Sequence, residues 1–105
     1  MAQFDIYVNP HLASRQSVPY LVDVQNDLID QLSTRLVMPL SRIGATQPRL
    51  PSNLCPDVEV DDERLSLLAY MAAPVSARLL KKPVASLRYR ASEISAALDA
   101  VVSGI

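Results

Sequence analysis

The sequence predicts a mainly β or α+β protein, a small antiparallel β-barrel or sheet with one C-terminal helix. About five to seven short segments alternate apolar with polar residues, and the C-terminal residues carry an apolar stripe at helical spacing. Irregular loops, not helices, separate the short segments. Strands that lack helical crossovers pair antiparallel, and a single amphipathic helix packs on the resulting sheet.

The N-terminal part of the chain predicts three strands. Apolar residues alternate in the first two, and the third is a short aliphatic run, at residues 4–8, 20–24 and 35–40. The first strand is expected to end at Asn9-Pro10, before a loop bounded by Pro10 and Pro19. Pro39 predicts that the third strand is an edge strand or ends there, because proline lacks a backbone donor.

The middle of the chain predicts a loop and then a hairpin. Three prolines, Pro48, Pro51 and Pro56, punctuate residues 41–56, which are expected to form the loop. Val58 and Val60 alternate with acidic residues before an Asp61-Asp62 turn, and apolar residues alternate again over 65–71. A last short strand is expected over residues 75–79.

The C-terminal helix is predicted from one apolar stripe. Its members recur at intervals of three and four residues: Leu87, Ala91, Ile94, Leu98 and Val101. Ser86 is the expected N-cap and Gly104 the expected C′ residue, which gives a helix over about residues 87–102.

Composition narrows the class of protein. The 105 residues predict a single domain, and a net charge of −1 argues against a protein that binds phosphate backbones directly. The single Cys55 cannot form an internal disulfide, and the sequence shows neither a leader nor an apolar run of roughly 20 residues. A cytoplasmic protein without direct contact with nucleic acid or membrane is expected.

The sequence contains few residues that could serve as catalytic groups or metal ligands in a recognisable arrangement. His11 is the one imidazole and is expected to be a solvated loop residue, while Cys55 has no nearby histidine and is expected to be a small, partly buried apolar residue. Asp23, Asp27 and Asp30 are close in sequence and suit structural roles around a turn. We therefore predict no catalytic residue, metal site or cofactor.

Two places put aliphatic side chains where exposure is expected. Leu28 and Ile29 lie between turn-forming residues, so they either fold back on the core or form a contact patch. The helix end carries Val102 and then Ser-Gly-Ile, and there Ile105 is either a cap contact over the last turn or part of an interface. The basic residues of 78–90 and the acidic residues of 57–63 are expected to be solvated.

Several motifs together resemble one family. These are Gln3-Phe4 with Ile6-Tyr7, VDVQNDLID at 22–30, RLVMPL at 35–40, Pro74-Val75 and the terminal Gly104-Ile105. In them the chain resembles the CcdB family of toxins over nearly its whole length. The resemblance implies an SH3-like barrel, a homodimer, and a toxin of a toxin–antitoxin module that binds the A subunit of DNA gyrase and traps it on cleaved DNA without covalent chemistry.

The resemblance also assigns contact residues by position. For gyrase these are Leu28, Ile29, Asp99, Val102, Ser103, Gly104 and Ile105. Two departures stand out: the best-known member has tryptophan at the position of Ser103 and asparagine at that of Asp99. Loss of a stacking aromatic predicts gyrase binding weaker by roughly tenfold or more.

The second implied partner is a CcdA-like antitoxin with a disordered arm that orders on binding. We expect its contacts in the first loop, at Asn9, His11, Ser14 and Arg15, with the basic residues of 78–90 complementing an acidic arm. Two other functions stay open. One is a non-toxic homologue that only binds antitoxin, favoured by Ser103, and the other is an endoribonuclease toxin of the same fold, disfavoured by the lone His11 and the net charge.

Overall fold

The computed structural model describes residues 2–29, 31–42 and 54–104, with the side chain of Ile29 excepted. Its described strands pair antiparallel in a sheet that nearly closes into a barrel, and one C-terminal helix follows, which confirms the predicted fold class. The strands are β1 (Asp5–Val8), β2 (Tyr20–Asp23), β3 (Thr34–Ser41), β4 (Asp57–Val60), β5 (Glu63–Leu67), β6 (Ala73–Ser76) and β7 (Ala85–Ser86); the helix is α1 (Ala91–Ser103). The predicted loop 41–56 begins one residue late, because Ser41 is the last residue of β3, and residues 43–53 of it lie outside the described residues.

Strand β3 is the centre of the sheet. It pairs with β2 on one side, and on the other with β6 along its first half and β5 at its end. The prediction that Pro39 marks an edge or strand end is therefore wrong, because Pro39 lies inside β3 opposite Leu21. Its carbonyl accepts the N–H of Leu68 (3.0 Å), so the missing donor faces the junction where β6 gives way to β5 and breaks no ladder bond.

Both faces of the central strands are buried. Alternate residues point to opposite faces of a strand. One face forms the main core with α1, including Ile6, Val22, Met38, Leu40, Leu67, Ile94 and Ala97. The other face forms a smaller cluster of Tyr7, Leu21, Val37 and Leu80. Asp23 and Arg35 lie on the same face as the smaller cluster, so the Asp23 carboxylate and the Arg35 guanidinium are buried next to each other.

The predicted hairpin is present. Asp61 and Asp62 have φ angles of 54° and 65° and connect β4 to β5; positive φ at both central residues is what a two-residue type I′ turn requires. The strand prediction over 65–71 is wrong after Leu67, because residues Ala69–Met71 form a 3₁₀ turn that carries the chain round to β6. Likewise, Ala77–Leu79 form a 3₁₀ turn and not a strand.

Helix α1 begins later than predicted. A 3₁₀ turn occupies Arg88–Arg90, and the N-cap of α1 is Arg90, so the prediction of Ser86 as the helix N-cap is wrong. The hydroxyl of Ser86 instead accepts the N–H of Arg88 (3.2 Å) at the start of the 3₁₀ turn. Strand β7 was not predicted, since two residues are too few to show alternation. Among the described residues no helix has the length and apolar character needed to cross a bilayer.

Most of the predicted apolar stripe is confirmed. Leu87 and Ile94 are buried, Ala91 and Leu98 pack against the core, and Val101 is exposed. Ala97 and Ala100, which are not part of the predicted stripe, are buried beside Ile94. Small alanines allow the helix to lie close to the sheet, so the apolar face is centred on them. Gly104 is confirmed as the C′ residue, with φ of 77° and its N–H donating to the Ala100 carbonyl (2.8 Å).

Candidate protein-binding site

The turn after β2 presents an apolar side chain to solvent. Residues Asp27–Ile29 form a 3₁₀ turn, and the side chain of Leu28 is 89% exposed. The Asn26 side-chain oxygen accepts the Leu28 N–H (2.8 Å) and so fixes the start of the turn. Leu28 does not fold back on the core. It is a ready apolar contact for another molecule.

A buried ion pair lies behind this turn. Arg35 Nε donates to Asp23 Oδ2 (2.7 Å), and both side chains have 1% exposure or less. Burial raises the pKa of the Asp23 carboxyl, and hydrogen bonds from Arg35 and from the Gln25 N–H oppose that shift. The sequence predicts a structural role for Asp23, but it does not predict the pairing of Asp23 with Arg35. A signal for this pair is present in the sequence. Arg35 stands in the largely apolar strand β3, and Asp23 of the neighbouring strand β2 lies on the same face of the sheet.

The end of α1 is the second exposed apolar surface. Val102 is 82% exposed in the last helical turn. The Ser103 hydroxyl donates to the Asp99 carbonyl (2.6 Å) and so is bonded within its own helix. Gly104 then turns the chain in the left-handed conformation. Ile105 lies outside the described residues, and this surface is therefore defined here by Val102, Ser103 and Gly104.

The structure places the two surfaces at different ends of α1. Arg88, just before the helix, has its Nη2 3.8 Å from Asp27 Oδ2, which sets the Leu28 turn beside the start of the helix. Val102 lies about 17 Å further along the helix axis than Ala91, at 1.5 Å per residue. The contacts therefore place Leu28 beside the start of α1, whereas Val102 and Gly104 lie at its end.

The loop from Asn9 to Pro19 is organised by a buried asparagine. The Asn9 side chain donates to Ser14 Oγ (3.0 Å) and the Val18 carbonyl (2.8 Å), and accepts the His11 N–H (3.0 Å). Arg15 Nε donates to the Asn9 carbonyl (2.9 Å). His11 and Ser14 are exposed. Asn9 thus holds the loop in shape from its buried side. The surface that the loop offers to a partner comes from His11, Ser14 and Arg15.

A groove lies between this loop and the segment before β7. Its volume is about 560 Å³, with an apolar lining from Val8, Leu79 and Val84. Its basic side chains are those of Arg15, Lys81 and Lys82. The sequence predicts that the two lysines belong to a solvated basic region, and it does not predict that they share a groove with Arg15, because the two segments are far apart in sequence.

The described residues, 2–29, 31–42 and 54–104, contain no candidate metal site. No cluster of three His, Cys, Asp or Glu residues there is spaced to hold a metal ion. Cys55 is half-buried, and burial together with Asp57 raises the pKa of its thiol, which favours the unreactive protonated form. Leu28 and Val102 are the two most exposed large aliphatic side chains of the described surface.

The sequence matches a known protein family over nearly its whole length. The family model described as "CcdB protein" matches residues 3–104 of the 105-residue chain. The match includes the Leu28 turn, the first loop and the helix end as far as Gly104.

Proposed function

Since the chain belongs to the CcdB family, a family of toxins of toxin–antitoxin systems, we propose that it binds the A subunit of DNA gyrase and traps the gyrase–DNA cleavage complex. The protein acts by binding and performs no covalent chemistry. Its target contacts are the Leu28 turn, with Ile29, and the helix end formed by Asp99, Val102, Ser103, Gly104 and Ile105.

The observation that carries this proposal is the exposure of Leu28 and Val102. Each side chain is more than four-fifths exposed. Leu28 lies in a turn that the Asn26 side chain caps, and Val102 lies in the last turn of α1, which Gly104 caps. Apolar anchors of this kind supply binding energy when a partner desolvates them. Neither side chain contributes buried area to the core, so both are available for a partner.

Two further partners belong to the proposal. The toxin is a homodimer, and a two-fold axis would double the number of Leu28 and Val102 contacts on one target. A CcdA-like antitoxin places an acidic, initially disordered arm against the first loop, where the groove of Arg15, Lys81 and Lys82 complements its charge. A gyrase target implies action in the cytoplasm.

A DNA cleavage assay tests the proposal. Purified gyrase, supercoiled plasmid and ATP are incubated with the protein, and cleaved linear DNA is measured after denaturation. Linear DNA should accumulate with the native protein and fall at least tenfold with Leu28→Ala/Val102→Ala. Leu12→Ala is the matched control, because Leu12 is also exposed but lies in the first loop. No linear DNA with the folded native protein would contradict the proposal, as would degradation of added RNA in place of DNA cleavage.

One observation favours a second candidate, a homologue that binds antitoxin without poisoning gyrase. Ser103 replaces the aromatic residue expected from the family resemblance, and its hydroxyl is bonded to Asp99 of the same helix. A toxin without its stacking side chain keeps the fold and the first loop. Tight antitoxin binding together with no effect on gyrase would favour this candidate.

A further inference from the structure

Arg35 extends from the central strand toward the segment that carries Leu28. Its side chain is 1% exposed. Nε donates to Asp23 Oδ2 (2.7 Å) and Nη2 to the Gln25 carbonyl (3.3 Å), and Nη2 also lies 3.6 Å from Asp27 Oδ1. One guanidinium thus contacts three alternate residues at the end of β2 and the start of the following turn. Its planar fork fixes the direction of each of these contacts.

The residues that Arg35 contacts are also tied to one another. Asp23 Oδ1 accepts the Gln25 N–H (3.0 Å), and Gln25 Oε1 accepts the Leu36 N–H (3.0 Å). The chain from β2 to the turn is therefore held against β3 by side chains after the regular strand pairing has ended.

Asp27 connects this network to two other parts of the molecule. Its Oδ1 accepts the Gln3 N–H (2.9 Å), and its Oδ2 lies 3.8 Å from Arg88 Nη2. Arg88 Nη2 in turn donates to the Gln3 carbonyl (3.3 Å). The residue directly before Leu28 is thus fixed from β3, from the N-terminal segment and from the turn that precedes α1.

Stability alone does not account for this arrangement. A buried ion pair commonly stabilises a fold no more than a well-packed apolar pair of similar volume. Among the described residues Arg35 Nη1 is buried and has no hydrogen-bond partner, which adds to the cost of placing the guanidinium there. The network instead gives directional contacts to a turn in which the side chain of Leu28 is exposed to solvent.

We propose that Arg35 is a positioning residue, which holds the Leu28 turn in its binding conformation through Asp23, Gln25 and Asp27. The inference rests on the proposed gyrase contact and deepens it. Arg35 is too buried to contact the target itself, so it acts by limiting the conformations of the turn before binding. Preorganisation of this kind lowers the entropy lost on association.

Two variants test the inference. Arg35→Lys keeps the charge but not the fork, and Asp27→Asn keeps the shape of a half-exposed side chain while removing its charge. Asp62→Asn in the β4–β5 turn is the matched control. Calorimetric titration gives the affinity for a purified gyrase A fragment, and hydrogen exchange gives the opening of residues 25–28 without any target. Thermal unfolding monitors the fold.

We expect both variants to bind at least fivefold more weakly and to exchange faster at residues 25–28, while the rest of the sheet exchanges as in the native protein. The control should match the native protein in every measurement. Unchanged exchange at residues 25–28 in both variants would overturn the inference. It would also be overturned if the weaker binding were fully explained by the fraction of each variant that is unfolded. If the native protein does not bind the fragment, the proposed target fails and the exchange measurement alone decides the role of Arg35.

Discussion

Arg35 Nε lies 2.7 Å from Asp23 Oδ2, and the pair is enclosed on the side of the sheet opposite α1. The two strands that carry the residues are neighbours, and both faces of these strands are covered. Neither residue can be changed alone without leaving a polar group in a dry site.

Removal of one partner of this pair should destabilise the protein strongly. Arg35→Met leaves the Asp23 carboxylate buried and unpaired, which costs about 3–5 kcal/mol of unfolding free energy. The double change Asp23→Leu/Arg35→Met should lose much less than the sum of its single changes. Urea unfolding at pH 7 gives the free energy of unfolding of the native protein, the two single variants and the double variant. Additive losses would show that the two side chains are not coupled.

The start of α1 should make stability depend on pH. Arg90 donates to Glu93 through Nε (2.6 Å) and Nη2 (2.7 Å), which holds the pKa of the Glu93 carboxyl below its usual 4.5. A lowered folded-state pKa gives stability that is present above about pH 4.5 and lost as the pH falls through the folded value. The Arg42–Glu63 pair acts in the same direction.

Glu93→Gln should therefore reduce the fall in urea midpoint between pH 7 and pH 3. Glu59→Gln is the matched control, because Glu59 is exposed on β4 and makes no ion pair with another described residue. An equal fall in midpoint for the native protein and for Glu93→Gln would contradict the assignment.

A glycine at position 104 should be needed because of its backbone conformation, and not because a larger side chain would clash with neighbouring atoms. Its φ is +77°, and a Cβ placed there would meet no atom within 4 Å. Gly104→Ala should cost roughly 1 kcal/mol locally from backbone strain and open the last turn of α1. Gly104→Asn should cost less, because asparagine tolerates this region. Hydrogen exchange at the helix end measures the difference, and identical exchange in the two variants would count against it.

Position 103 should limit affinity for gyrase. Ser103 offers no apolar surface, and its hydroxyl is bonded to Asp99. Ser103→Trp adds a large anchor beside Val102 and should tighten binding to a gyrase A fragment by roughly tenfold. Ser103→Ala should leave affinity close to that of the native protein. A tryptophan substitution that leaves affinity unchanged in a folded protein would show that the helix end does not contact the target.

The fold class and several of its elements could be predicted from periodicity and local turn signals. Apolar residues at every second position mark β1 and β2, although both faces of β2 are buried, and the Asp61-Asp62 turn and the Gly104 helix end carry their own local signals. Elements set by distant contacts could not be predicted in this way. Strand β7 has two residues and exists because β1 offers it an edge, and the chain leaves β5 after Leu67 so that β6 can reach β3.

The candidate site was predictable in a similar, partial way. Aliphatic residues between turn formers identify Leu28, and a helix that ends in apolar residues identifies Val102. The support behind them was not identified, because Arg35, Gln3 and Arg88 meet Asp27 only through tertiary structure. The same holds for Lys81 and Lys82, which share a groove with Arg15 across many residues of sequence.

The most direct test of the proposed function is calorimetric titration of the protein against a purified fragment of the gyrase A subunit, beside a variant that lacks Gly104 and Ile105. We predict saturable binding by the intact protein and its loss in the truncated one, with the two proteins equally folded by circular dichroism. Absence of binding by the intact, folded protein would contradict gyrase as the target. Equal binding by both proteins would contradict the helix end as the contact.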